Sequence, residues 1–197
     1  MQNRYTKQAE RAINYAAAAA KEHKHPYIGT EHLLLGLCKE ITGVAGQVLA
    51  RHGVEEEKLL QLMDELIVPG GEEPVTLRPQ RSPRLEYILE DSIREAGHFH
   101  MDKVGTEHLL MAIIHDADCV AARILTTLNV NLQKVVQDIL FAAGVDSRSY
   151  QEELQEDGRG RNSAVEQFCK DMTGEAEEGK LDPVIGREEE IFRLMQV

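Results

Sequence analysis

From Lys7 onward the apolar positions fall at the three-and-four spacing of a helix face, on Ala9, Ile13, Ala16, Ala17 and Ala20, until the stretch His23-Lys24-His25-Pro26 stops it. Thr6 stands where a helix N-cap belongs. A second helix is predicted behind Thr30, read as its cap, with Leu33, Leu34 and Leu37 on one face. A third runs from Val44 to Ala50 and ends at His52-Gly53, and a fourth runs from Glu55 to about Ile67 on Leu59, Leu62, Met63 and Leu66. Residues 68–80 carry three prolines and two glycines and cannot continue a helix.

Beyond that break the pattern starts again. Residues 28–37 read IGTEHLLLGL and residues 104–113 read VGTEHLLMAI, a shift of 105 − 29 = 76. The same shift puts Thr6 on Ser82, Ile13 on Leu89, Ala20 on Ala96, Val44 on Val120, Leu49 on Leu125 and Lys58 on Lys134, with no insertion or deletion. Such a register over a whole segment is an internal repeat. The fold class predicted is all-α: a tandem duplication of a four-helix repeat, eight helices related by a pseudo-twofold axis. The copies occupy about 5–67 and 81–143, with Pro83 suited to a first helical turn and Gly144 as the stop. Each copy is too small to bury enough surface alone, so 1–144 reads as one domain. Residues 145–162 are polar and read as a linker, and 163–197 as a short extension that opens with one more helix. Its last residues begin an amphipathic pattern on Ile191, Leu194 and Met195, the expectation being that the chain is the front part of something longer.

Composition narrows the function. Aromatics make up 5% of the chain and there is no Trp, so the core must come from Leu, Ile, Val, Ala and Met, which suits helices. The net charge of −12 argues against nucleic acid, since phosphate neutralisation needs a basic face, and favours cationic partners. Cys38, Cys119 and Cys169 lack metal-site spacing and read as reduced thiols. The N-terminus lacks a signal-peptide core, and no run reaches the roughly 18 apolar residues of a membrane span, so the reading is cytoplasmic with no membrane contact.

Candidate chemistry is sparse. Gly174 to Lys180 satisfies the first seven positions of a phosphate loop, but Leu181 stands where a magnesium-binding hydroxyl belongs, and Glu175, Glu177 and Glu178 would repel phosphate. The pairs His23/His25 and His98/His100 are not equivalent under the 76-residue shift and read as solvated helix ends rather than a metal site, and His32 and His108 as hydrogen-bonded, half-buried histidines. No catalytic residues are assigned. Glu31 and Glu107 read two ways: as acidic residues in a first helical turn, or as two anionic spots made to hold guanidinium groups.

The doubled GTEHLL within two four-helix copies resembles the Clp N-terminal repeat domain, and LDPVIGREEEI at 181–191 is similar to the entry of the first AAA+ ATPase domain in Clp/Hsp100 unfoldases, closest in pattern to the ClpC subfamily. The resemblance implies docking of MecA-type adaptors, recruitment of protein substrates, delivery to a ClpP-type peptidase, and, for the full-length protein, ATP, magnesium and a hexamer, with this chain itself a monomer. It implies two arginine or phosphoarginine sites drawn from Thr6, Glu31, Ser82, Arg84, Thr106 and Glu107, and nucleotide contacts at Val184, Ile185 and Gly186 once the phosphate loop follows. Where the family's second copy typically opens TPRAK, this chain has SPRLE, and Glu86 in place of the lysine opposes phosphate. A free-standing adaptor or regulatory protein of the same fold is the alternative.

Overall fold

The computed structural model describes residues 4–66 and 79–156. Helix α1 (Lys7–Glu22) is capped by the Thr6 hydroxyl, which accepts from Ala9 N–H at 3.2 Å, and buries Ala9, Ala12, Ala16, Ala19 and Ala20. This alanine face lets α2 (Thr30–Lys39) come close: a Cβ on Gly36 would run into the Ala12 carbonyl oxygen. After α3 (Val44–Arg51) and α4 (Glu56–Leu66), the plan repeats in α5 (Pro83–His98), α6 (Thr106–His115), α7 (Val120–Thr127) and α8 (Leu132–Ala143). Ser82 caps α5 by accepting from Leu85 N–H at 3.1 Å, and Gly144 ends α8 in the left-handed conformation at φ 71°.

Helices α2 and α6 are apolar nearly all round and lie at the centre, where Leu33, Leu34, Leu35, Leu37, Leu109, Leu110 and Met111 are each at most 1% exposed. Full burial of such a side chain contributes about 1.5–3 kcal/mol.

The copies are interlaced. Two-residue strands β1 (Tyr27–Ile28) and β2 (Gln80–Arg81) pair in parallel, joining the segment before α2 to the segment before α5. The mirror contact is the parallel bridge between Tyr5 and Val104. Ser82 N–H donates to Ile28 O and Thr6 N–H to Val104 O, both at 2.9 Å, so each copy's entry strand rests on the other copy.

Two readings from sequence change. Thr30 does not cap its own helix: Gly29 is at the cap position, and the Thr30 hydroxyl accepts from Ala121 N–H at the start of α7, 3.3 Å away. Thr106 does the same for Ala45 N–H at the start of α3, also at 3.3 Å. Each threonine caps a helix of the opposite copy. The segment from Val145 is also no linker in its described part, since α9 (Ser147–Glu156) packs on α5 and buries Tyr150 to 2% exposure. Its sequence is polar because it packs through Tyr150 and Leu154 while Ser147, Arg148, Ser149, Gln151 and Glu152 stay exposed.

The remaining linker residues, the helix placed after Ser163, the loop-like Gly174–Lys180 stretch and Val184, Ile185 and Gly186 lie outside the described residues. Among the described residues no single helix is long and apolar enough to cross a membrane. Cys38 is half-buried and Cys119 buried, both as free thiols.

Candidate functional site

Each position of the GTEH motif has a separate physical reason. Histidine, at the third helical position, turns its Nδ1 back to accept the glycine amide: His32 from Gly29 at 3.0 Å, His108 from Gly105 at 2.8 Å. Threonine caps the opposite copy. Glutamate folds its carboxylate over the glycine, so that a Cβ on Gly29 or Gly105 would occupy the space of the Glu31 or Glu107 oxygens. Of the four positions, the glutamate is the one whose charged group reaches the surface; the Glu31 and Glu107 side chains are 11% and 17% exposed.

The Glu31 carboxylate sits in a cavity of about 430 Å³ between the copies. His25, Tyr27 and Glu31 come from the first copy, and Ser82, Arg84 and Asp118 from the second. The sequence-derived candidates therefore sort crosswise. Glu31 joins Ser82 and Arg84, whereas Thr6 is bonded to Val104, three residues ahead of Glu107. Thr106 donates to Glu107 Oε2 at 3.2 Å.

Burial raises the Glu31 carboxyl, but His32, which donates to it only when protonated, lowers it by more, so the group ionises below the usual carboxylate range and is an anion at neutral pH, where His32 Nδ1 accepts from Gly29 instead. Arg84 is engaged: its Nε donates to Asp116 Oδ2 at 2.5 Å, its Nη2 donates to Asp116 Oδ1, and Asp118 lies 3.9 Å away. Its charge is held by aspartates rather than presented to an anion, and the hydrogen bond to Asp116 raises its pKa. Glu86 is exposed in the first turn of α5 and does not line the cavity. The pocket is anionic, with an apolar wall from Tyr27, and fits a planar cation better than a phosphate.

The site around Glu107 is not its equal. Under the 76-residue shift Tyr27 becomes Lys103, His25 becomes Met101 and Asp118 becomes Thr42. Sequence reasoning missed Asp118 because the pocket is assembled across copies, and His25 and Tyr27 because they precede the motif; the three differences between the aligned copies were the available signal.

The histidine pairs also differ from expectation. His98 is 8% exposed, not solvated, because the buried Glu95 carboxylate lies 3.8 Å from its Nδ1. His100 is exposed and pairs with Glu153 at 3.0 Å. His25 and His23 are half-buried, His32 and His108 fully so. Among the described residues no three His, Cys, Asp or Glu side chains converge as a metal site would require.

The sequence profile of the Clp repeat (R) N-terminal domain matches residues 4–128 and again 82–176. The ATP-dependent Clp protease ATP-binding subunit ClpC of Staphylococcus epidermidis is 36% identical over 194 residues, covering 98% of this chain; the chain spans 23% of that relative's length. Among solved structures, the N-terminal domain of the chaperone ClpD from Arabidopsis thaliana superposes with a TM-score of 0.58 at 21% identity, covering 72% of this chain and 95% of its own. A ClpV N-domain in complex with a VipB peptide superposes with a TM-score of 0.58 at 19% identity, covering 73% and 89%. At these identities the two structures speak for the fold.

Proposed function

The chain belongs to the Clp repeat N-terminal domain family, and from that premise we propose that it is the recognition module of a ClpC-like, ATP-driven unfoldase that hands proteins to a ClpP-type peptidase. Its recognition unit is the pair of copies at about 5–67 and 81–143, extended by α9. It works as a cytoplasmic module, monomeric alone and carried by a hexamer in the full-length protein, where ATP and magnesium act at residues other than those described. Its partners are MecA-type adaptors and protein substrates; a ClpV N-domain of the same fold is solved with a peptide bound.

The observation that carries this reading is the ionised Glu31 carboxylate at the floor of the inter-copy cavity, with Asp118 at the rim and Tyr27 as a wall. A guanidinium entering there gains a charge-assisted, forked contact and stacks on the ring. Glu31 is the principal contact and Ser82 a hydroxyl acceptor beside it, with Arg84 as a wall residue held by Asp116. Thr6, Thr106 and Glu107 form the weaker second spot, whose Lys103 opposes a cation.

Titrating an arginine-bearing peptide into wild type, Glu31→Gln and Glu107→Gln tests this. Glu31→Gln is expected to lose about 1.5–3 kcal/mol of binding, roughly ten- to a hundredfold, with the fold intact, and Glu107→Gln much less. Three superimposable curves would leave both glutamates as helix-start residues.

A further inference from the structure

His32 Nδ1 has one lone pair and two suitors. Gly29 N–H points at it from 3.0 Å, and Glu31 Oε1 lies 3.0 Å from it on the pocket side. An unprotonated Nδ1 can accept from the amide but only repel the carboxylate; a protonated Nδ1 can donate to the carboxylate but no longer accept. Both geometries are in place, so which bond forms is decided by one proton.

The other ring nitrogen fixes the starting tautomer. His32 Nε2 is 2.8 Å from His25 Nδ1, and His25 lines the cavity with His23 stacked behind it at 5.9 Å between ring centroids. With Nδ1 accepting from Gly29, neutral His32 carries its hydrogen on Nε2 and donates it to His25. Taking up a second proton, on Nδ1, leaves that bond intact.

We infer that His32 is a proton-controlled positioning residue for Glu31: neutral, it caps its own helix and leaves the carboxylate free for a guanidinium; protonated, it turns Nδ1–H onto Glu31 and cancels the charge the ligand needs. The proton comes from solvent and no covalent bond changes. The charged and titratable groups facing this pair are Glu31 on α2, His25 ahead of β1, Arg84 on α5 already held by Asp116, and Asp118 and Cys119 before α7. The second copy lacks the device. His108 Nδ1 is 4.0 Å from Glu107 Oε1, its outer face packs edge-on against Phe99 at 4.7 Å where copy one has His23, and burial pushes its pKa down. The ligand half of the inference rests on the guanidinium reading of the pocket; the proton half does not.

Two measurements on the 197-residue chain separate them. In ¹⁵N imidazole spectra of the free protein, His32 Nδ1 should be bare at about pH 8 and protonated at about pH 5.5, Glu31→Gln should leave it largely bare at the lower pH, and His108 should stay bare throughout. A His32 Nδ1 indifferent to pH or to Glu31→Gln overturns the inference. With N-acetyl-arginine amide as probe, wild-type affinity should fall about tenfold or more between those pH values, while His32→Gln, whose amide oxygen can still accept from Gly29 as a capping-box residue, should vary less than about twofold. A pH loss that persists in His32→Gln also overturns it. Correct spectra with no probe binding at either pH would uphold the proton exchange and defeat the guanidinium reading alone.

Discussion

Residues 1–66 expressed alone are expected to remain unfolded, with a far-ultraviolet spectrum of at most fraying helix and no cooperative melt. Their central helix α2 is buried on all sides, and α5, α6 and α7 supply part of that cover. Their strand β1 has its partner in Gln80–Arg81, Tyr5 pairs with Val104, and the α3 amide of Ala45 is satisfied by Thr106. Cutting the copies apart thus exposes leucines and orphans backbone groups in one step, and isolated helices of α2's ten residues are marginal in water. A cooperatively melting monomer from this half would contradict the interlaced architecture.

The second large effect is expected at Glu95. It is 0% exposed, accepts from Tyr150 Oη at 2.6 Å and lies 3.0 Å from His115 Nδ1, so it ties α9 and the end of α6 to α5. Burial alone would raise its carboxyl, but hydrogen bonds from His115 and His98, the His115 charge and the Tyr150 hydroxyl together bring it down to about 2. Burial and the neighbouring carboxylate push the Tyr150 hydroxyl strongly up, so it serves as a permanent donor. Glu95→Ala leaves that hydroxyl and the histidines without their acceptor, and a loss of about 3–5 kcal/mol in urea unfolding at neutral pH is expected. A carboxyl whose folded pKa lies below its ordinary value of 4.5 stabilises above that value, and the contribution drains away as pH falls from there toward 2. The gap between wild type and Glu95→Gln should accordingly be full at neutral pH and close across that window. Equal stabilities at neutral pH would show that the cluster holds nothing together.

How much of this could be read from the chain follows from what each residue's signal depends on. The helices were legible because Ala9 to Ala20 and their counterparts alternate at helical spacing, and the copies because the 76-residue shift is unbroken. The repeat could not say whether the copies sit side by side or interlace, since two-residue strands have no periodicity and a threonine that caps another copy's helix looks like one that caps its own. Tyr150 was invisible for a related reason: in a segment reading SRSYQEELQE its burial depends on Glu95, 55 residues away. The glutamate pair was legible as a pair, but the make-up of the Glu31 pocket was not, because Ser82, Arg84 and Asp118 become neighbours of Glu31 only once the copies cross.

Amide ¹H–¹⁵N spectra of the 197-residue chain titrated with an arginine-bearing peptide test the pocket between the copies residue by residue. Shifts should concentrate at residues 25–32, 82–84 and 118–120, the three stretches that wall the cavity, and vanish in Glu31→Gln. Shifts centred on another face, or unchanged by Glu31→Gln, would contradict it.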